Sequence, residues 1–92
     1  MERTRNRPQI SKKAIKEARD EIYQKTLSAF QQKGWGSLAS IHELSGVLKE
    51  EYDEVSDEIH ASNYPMLIEE LKDLAVACLF GIACIKSKTM DW

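Results

Sequence analysis

The sequence predicts an all-α fold, an antiparallel helical bundle of about three helices, and three observations carry that prediction. Apolar residues recur at helical spacing through three long stretches. Short segments rich in Gly, Ser, Asn and Pro, which break helices, separate them. Nowhere do polar and apolar residues alternate with the period of two that a half-buried strand requires. Ninety-two residues suffice for one domain, placed at 11–92, after a basic N-terminal arm at 1–10. A lone domain of that length buries a modest share of its surface. The bundle is therefore expected to be completed by oligomerisation, as a homodimer or homotetramer.

The arm carries Arg, Asn, Pro and Gln without periodicity, including Arg3, Arg5 and Arg7. Ser11 is suited to cap a first helix from Lys12 to Lys33, in which Ile15, Ala18, Ile22, Leu27 and Phe30 keep broadly helical spacing. Gly34 ends it. The segment Gly34-Trp35-Gly36-Ser37 reads as a turn, and a second helix opens at Ser37 or Ser40. Ser40 followed three residues later by Glu43 has the capping-box pattern. That helix runs to about Ala61, where Ser62-Asn63-Tyr64-Pro65 breaks it. Pro65 is suited to the first position of a third helix reaching about Lys86. From Leu74 to Ile85 this helix is wholly apolar or Gly. A helix at the edge of a three-helix monomer keeps a polar face, so part of that surface is expected to be covered by another chain or a further helix.

Composition narrows the function classes. With 13 basic and 15 acidic residues the formal charge is −2, which argues against broad attraction to nucleic acid. The basic cluster Arg3, Arg5, Arg7, Lys12, Lys13 and Lys16 reads as a solvated arm rather than a phosphate-binding one. The N-terminus lacks the apolar core of a signal peptide, and the longest apolar run is too short to span a bilayer. The expected location is cytoplasmic. Cys78 and Cys84 sit six residues apart on one helix, roughly 9 Å along its axis, too far for a mutual disulfide. Without His or Cys at chelating spacing, zinc is not expected either.

Four carboxylates stand where core residues belong. Setting Glu51 at zero on a wheel of the second helix puts Leu44 about 20° away, Val55 about 40° and Leu48 about 60°, with Val47 about 40° to the other side. Glu51 thus lies inside the apolar arc, and Glu58 and Glu54 continue its edge. Lys49, Asp53 and Asp57 point to the opposite, solvated side. The third helix repeats the pattern: about Glu70 lie Ala77 and Met66 on one side and Leu74 and Leu67 on the other, with Asp73 about 60° away. If the two helices pack through these faces, Glu51, Glu54, Glu70 and Asp73 converge. Like charges buried together need a cation, protons or basic partners. Mg²⁺ suits such a set, because it takes oxygen ligands and completes its shell with water and substrate phosphates. A single E-x-x-E pair usually means no more than a solvated face; two pairs on apolar edges, joined by a short turn, favour a metal site.

The run Glu50-Glu51-Tyr52-Asp53-Glu54-Val55, followed by Glu69-Glu70-Leu71-Lys72-Asp73-Leu74, resembles the E-x-x-E…E-x-x-D signature of MazG-like pyrophosphohydrolases, and the intervening spacing is similar to that family's. The resemblance covers the second and third helices, roughly half the chain. It implies that the domain at 11–92 is MazG-like and that Glu51, Glu54, Glu70 and Asp73 are Mg²⁺ ligands and catalytic residues. The implied reaction is hydrolysis of a (deoxy)nucleoside triphosphate to monophosphate and pyrophosphate, in a dimer or tetramer. Relatives continue past the E-x-x-D helix into a segment that helps hold the nucleotide. Here that role is expected of the first helix, of Lys86 and Lys88, or of another subunit.

The remaining residues admit blander readings. Trp35, between two glycines, is suited either to stacking on a nucleobase or to plugging the end of the bundle. Lys33, and with it Gln24, Lys25, Gln31 and Gln32, can reach base or phosphate or simply solvate the surface. Glu50 and Glu69 fall outside the carboxylate edge, Glu58 is a candidate fifth ligand, and His42 and His60 face away from Glu51. A non-catalytic helical interaction module, docking through the apolar third helix, is the alternative function; it predicts no metal binding. A nucleic-acid binder using the arm would show strong salt dependence, and the acidic cluster argues against it.

Overall fold

The computed structural model describes residues 7–91 and contains three helices: α1, Lys12–Lys33; α2, Ile41–Ala61; α3, Tyr64–Ser87. Arg3, Arg5 and Trp92 lie outside the described residues. Among the described residues there is no strand, only a single parallel bridge between Ser40 and Asp91. No described helix is long and apolar enough to cross a membrane.

Side chains fix the helix ends at the expected places. Ser11 caps α1, its hydroxyl accepting from the Ala14 amide at 3.0 Å. Gly34 ends the helix with φ 84°, its N–H donating to Phe30 O at 2.8 Å. Few residues other than glycine adopt that φ without cost. Ser40 caps α2 by accepting from the Glu43 amide, while the Glu43 carboxylate reaches back to the Ala39 amide at 2.8 Å. The box is thus displaced one residue outward. Asn63 caps α3, which begins one residue before Pro65 and leaves the proline in its first turn, where its missing N–H costs nothing.

α3 is the central element. It packs on both α1 and α2, and those two do not pack on each other. The two-residue connection at 62–63 makes α2 and α3 an antiparallel hairpin. Contacts of Glu21 with Lys72, Lys25 with Asp73 and Phe30 with Phe80 set α1 alongside α3 in the same direction. The core is small: Leu44, Val55, Ala77, Cys84 and Met90 are its buried apolar members. Ala77 and Gly81, inside the apolar run that seemed to need cover from another chain, are both buried. A Cβ built on Gly81 would lie 2.8 Å from Leu44 Cδ1, so the missing side chain sets the close approach of α2 and α3.

After α3 the chain folds back. Lys88 turns it with φ 56°, Met90 enters the core beside Leu44 and Cys84, and Asp91 bonds through its backbone to Ala39 O at 2.8 Å and the Ile41 amide at 3.2 Å. This strap joins the two ends of the helical hairpin. Residues 12 to 20, the first turns of α1, are all exposed among the described residues. The radius of gyration, 15.7 Å, accordingly exceeds the roughly 12 Å of a compact chain of this length.

Candidate metal centre

Glu51 and Glu54 lie one turn apart on α2, and Glu70 and Asp73 one turn apart on α3. A three-residue step returns a side chain to nearly the same face of a helix, and the hairpin brings both pairs to one level. One carboxylate oxygen from each of the four lies within 4.8 Å of all the others. Glu58, the candidate fifth ligand, is not in this group.

The cluster is electrostatically uncomfortable without a cation. Burial raises the pKa of Glu51, and the charges of Glu54, Asp73 and Glu50 raise it further. Hydrogen bonding to Glu54, then burial, then the neighbouring charges push Glu70 up to about 7. Glu51 Oε2 and Glu70 Oε2 are both buried and lack any hydrogen-bond partner. Orphaned carboxylate oxygens in a set of four oxygen donors are what a hard divalent cation would satisfy, so the residues present fit such an ion.

One counter-charge is built in. Lys25 of α1 places its ammonium 2.6 Å from Asp73 Oδ1 and 3.3 Å from Glu69 Oε1. Burial pulls the Lys25 pKa down, but its hydrogen bonds to Asp73 and Glu69 outweigh that and leave it raised. Lys72 closes the network, 2.7 Å from Glu69 Oε2 and 3.4 Å from Glu21 Oε1. Hydrogen bonds to Lys72 and Lys25 in turn lower the pKa of Glu69. Glu69, outside the carboxylate edge on the wheel, thus ties α1 to α3, and Glu50 is exposed.

A cleft of about 590 Å³ opens beside the cluster. α1 and α2 form its walls, α3 its floor, and Glu51 and Asp73 belong to both cleft and cluster. Its lining is otherwise largely apolar, with Val47, Val76 and Phe80, and it includes Lys25 and Lys33. Lys86 and Lys88 are exposed at the far end of α3 and are not in the lining. Trp35 stacks on Phe30, ring centroids 4.2 Å apart and 4° from parallel. It is 75% exposed, so it does not plug the bundle. Gly34 and Gly36 on either side of it line the cleft, which puts the indole at the rim. Lys25 was expected either to reach base or phosphate or to solvate the surface. Its spacing from Ile22 and Ala29 puts it on the stripe of α1 that faces α3. His42 and His60 are exposed and stand apart from the cluster.

No family model, curated protein or solved structure matches this chain.

Proposed function

We propose that the protein is a Mg²⁺-dependent (deoxy)nucleoside triphosphate pyrophosphohydrolase of the MazG-like kind, acting in the cytoplasm. The observation that carries this reading is the convergence of four carboxylates, two with orphaned oxygens, at the edge of a cleft that contains two lysines. Glu51, Glu54, Glu70 and Asp73 hold the ion. When bound, Mg²⁺ supplies charge neutralisation of the polyphosphate and a more acidic water. Lys25 and Lys33 meet phosphate oxygens, while Val47, Val76 and Phe80 offer apolar surface to the nucleoside and keep water from it. Water adds to phosphorus, the α–β anhydride bond breaks, pyrophosphate leaves, and the proton of the attacking water passes to solvent.

The test is incubation with Mg²⁺ and a panel of ribo- and deoxynucleoside triphosphates. Monophosphate and pyrophosphate should appear together, in equal amounts. Orthophosphate release with accumulating diphosphate would overturn the assignment. A second reading, the non-catalytic interaction module, draws on the apolar residues exposed along α3, among them Ile68, Leu71 and Ile82. It separates cleanly from the first, because it requires that Mg²⁺ leave the melting temperature unchanged.

A further inference from the structure

Lys25 is the cation that reaches the carboxylate set: it pairs with Asp73, and among the described residues no other Lys or Arg pairs with Glu51, Glu54, Glu70 or Asp73. An ammonium carries three N–H donors. Three acceptors already stand around this one: Asp73 Oδ1 at 2.6 Å, Glu69 Oε1 at 3.3 Å and the Glu69 carbonyl oxygen at 3.5 Å. Yet Lys25 also lines the cleft, as do Glu51 and Asp73. A lysine whose donors are all engaged has none to offer a phosphate, so one of the three bonds has to be given up before a ligand is met.

The bonds to Glu69 are not the ones to lose. Glu69 lies outside the set of four and also accepts from Lys72 at 2.7 Å, and its pair with Lys25 joins α1 to α3 whether or not the cleft is filled. Asp73 belongs to the set, so a divalent ion held there would neutralise it and leave two cations on one carboxylate. Like charges that close repel. The Lys25 ammonium, on a flexible four-carbon stem, can withdraw toward Glu69 and keep an anionic partner without any movement of α1.

We propose that Lys25 is an exchangeable cation that ties the filling of the metal site to the binding of polyphosphate. It neutralises Asp73 while the site is empty, yields that carboxylate to a divalent ion, and turns the freed N–H donor to a phosphate oxygen while Glu69 keeps the ammonium in place. This exchange rests on the hydrolase reading and adds an order of events to it. A polyphosphate that arrives without metal meets four carboxylates and a lysine already engaged. One that arrives with the metal, or after it, meets a lysine with a donor to spare. The same side chain thus opposes binding of the metal alone and favours binding of the metal together with polyphosphate.

Calorimetric titration of the full chain tests the exchange, first with Mg²⁺ alone and then with inorganic pyrophosphate at saturating Mg²⁺, with circular dichroism as the check on folding. Lys25→Met keeps the stem and loses the charge, so it should bind Mg²⁺ alone about tenfold more tightly than the wild type and pyrophosphate about tenfold more weakly. A lysine that only held the fold together would move both affinities in the same direction. Lys25→Arg separates exchange from the mere loss of a charge. It keeps the charge but grips a carboxylate through a two-pronged fork, so it should bind Mg²⁺ alone more weakly than the wild type. A Lys25→Met chain that gains no affinity for Mg²⁺ or loses none for pyrophosphate, or a Lys25→Arg chain that binds Mg²⁺ as well as the wild type, would overturn the exchange and leave the metal site standing. A wild type that takes up no Mg²⁺ would overturn the metal site and the exchange together.

Discussion

Glu51 concentrates the conflict between folding and chemistry, because it occupies a core position of α2 and leaves a buried oxygen without a donor. Glu51→Gln removes one negative charge from the cluster, so the metal-free protein should melt at the same temperature or higher. Its melting temperature should no longer rise with Mg²⁺, and turnover should be largely abolished. Glu50→Gln and Asp53→Asn are the controls; both residues are exposed, Asp53 pairs with Lys49 at 2.9 Å, and neither change should alter either quantity much. Equal inactivation by the controls would sink the metal-site reading. Glu70 sets the pH dependence. Its folded pKa, about 7, lies above the ordinary 4.5, so the native state holds a proton that the unfolded chain releases. That stability is full below about pH 4.5 and is lost as pH rises through 7. Glu51 shifts the same way. Metal-free protein should therefore melt lower at pH 8 than at pH 5.5, and saturating Mg²⁺ should shrink the difference. Lys25 is the third lever. Lys25→Met removes the ammonium beside Asp73, so the metal-free form should lose more melting temperature than the Mg²⁺-loaded form, and turnover should fall. Of these residues, the four carboxylates were legible because a charge inside an apolar arc contradicts the helical period. Lys25 was not, since long basic side chains on amphipathic helices usually reach solvent.

Helix ends were legible to within a residue, and for a local reason: Ser11, Gly34, Ser40 and Asn63 act on backbone groups within four positions of themselves. Gly34 gives the sharpest test. At φ 84° and ψ −177°, with open space where a Cβ would stand, Gly34→Ala should cost about 1–3 kcal/mol through backbone strain alone. Urea unfolding measures it, and an unchanged midpoint would contradict the cap geometry. α3 was the least legible element. A helix whose residues from Leu74 to Ile85 are all apolar or Gly carries no polar face from which to read its rotation. Only packing shows that Ala77, Gly81 and Cys84 are buried while Ile82 and Ile85 face outward. Gly81 went inward because Leu44 fills the space opposite it.

At the scale of the molecule, one central helix serves two neighbours that ignore each other, and the gap between those neighbours is the cleft. The C-terminal strap holds that arrangement in a way that periodicity could not announce, because Met90 stands between Thr89 and Asp91, beyond the end of its helix. Met90 is only 5% exposed, so Met90→Ala should destabilise the fold by about 2–3 kcal/mol. A loss below about 0.5 kcal/mol in chemical denaturation would mean the strap is ornamental. Its bonds to Ala39 and Ile41 also carry a kinetic consequence. Between Ala39 and Asp91 lies a loop of about 50 residues, and ends so far apart meet only after the hairpin between them has formed. The strap is thus expected to close after the α2–α3 hairpin and to open before it, so the amides of Ile41 and Asp91, which bond strap to α2, should exchange faster than the amides in the middle of α2 and α3. Leu38 and Gly36, in the segment it tethers, line the cleft. A chain emerging from denaturant should accordingly regain its helices well before it regains a closed cleft.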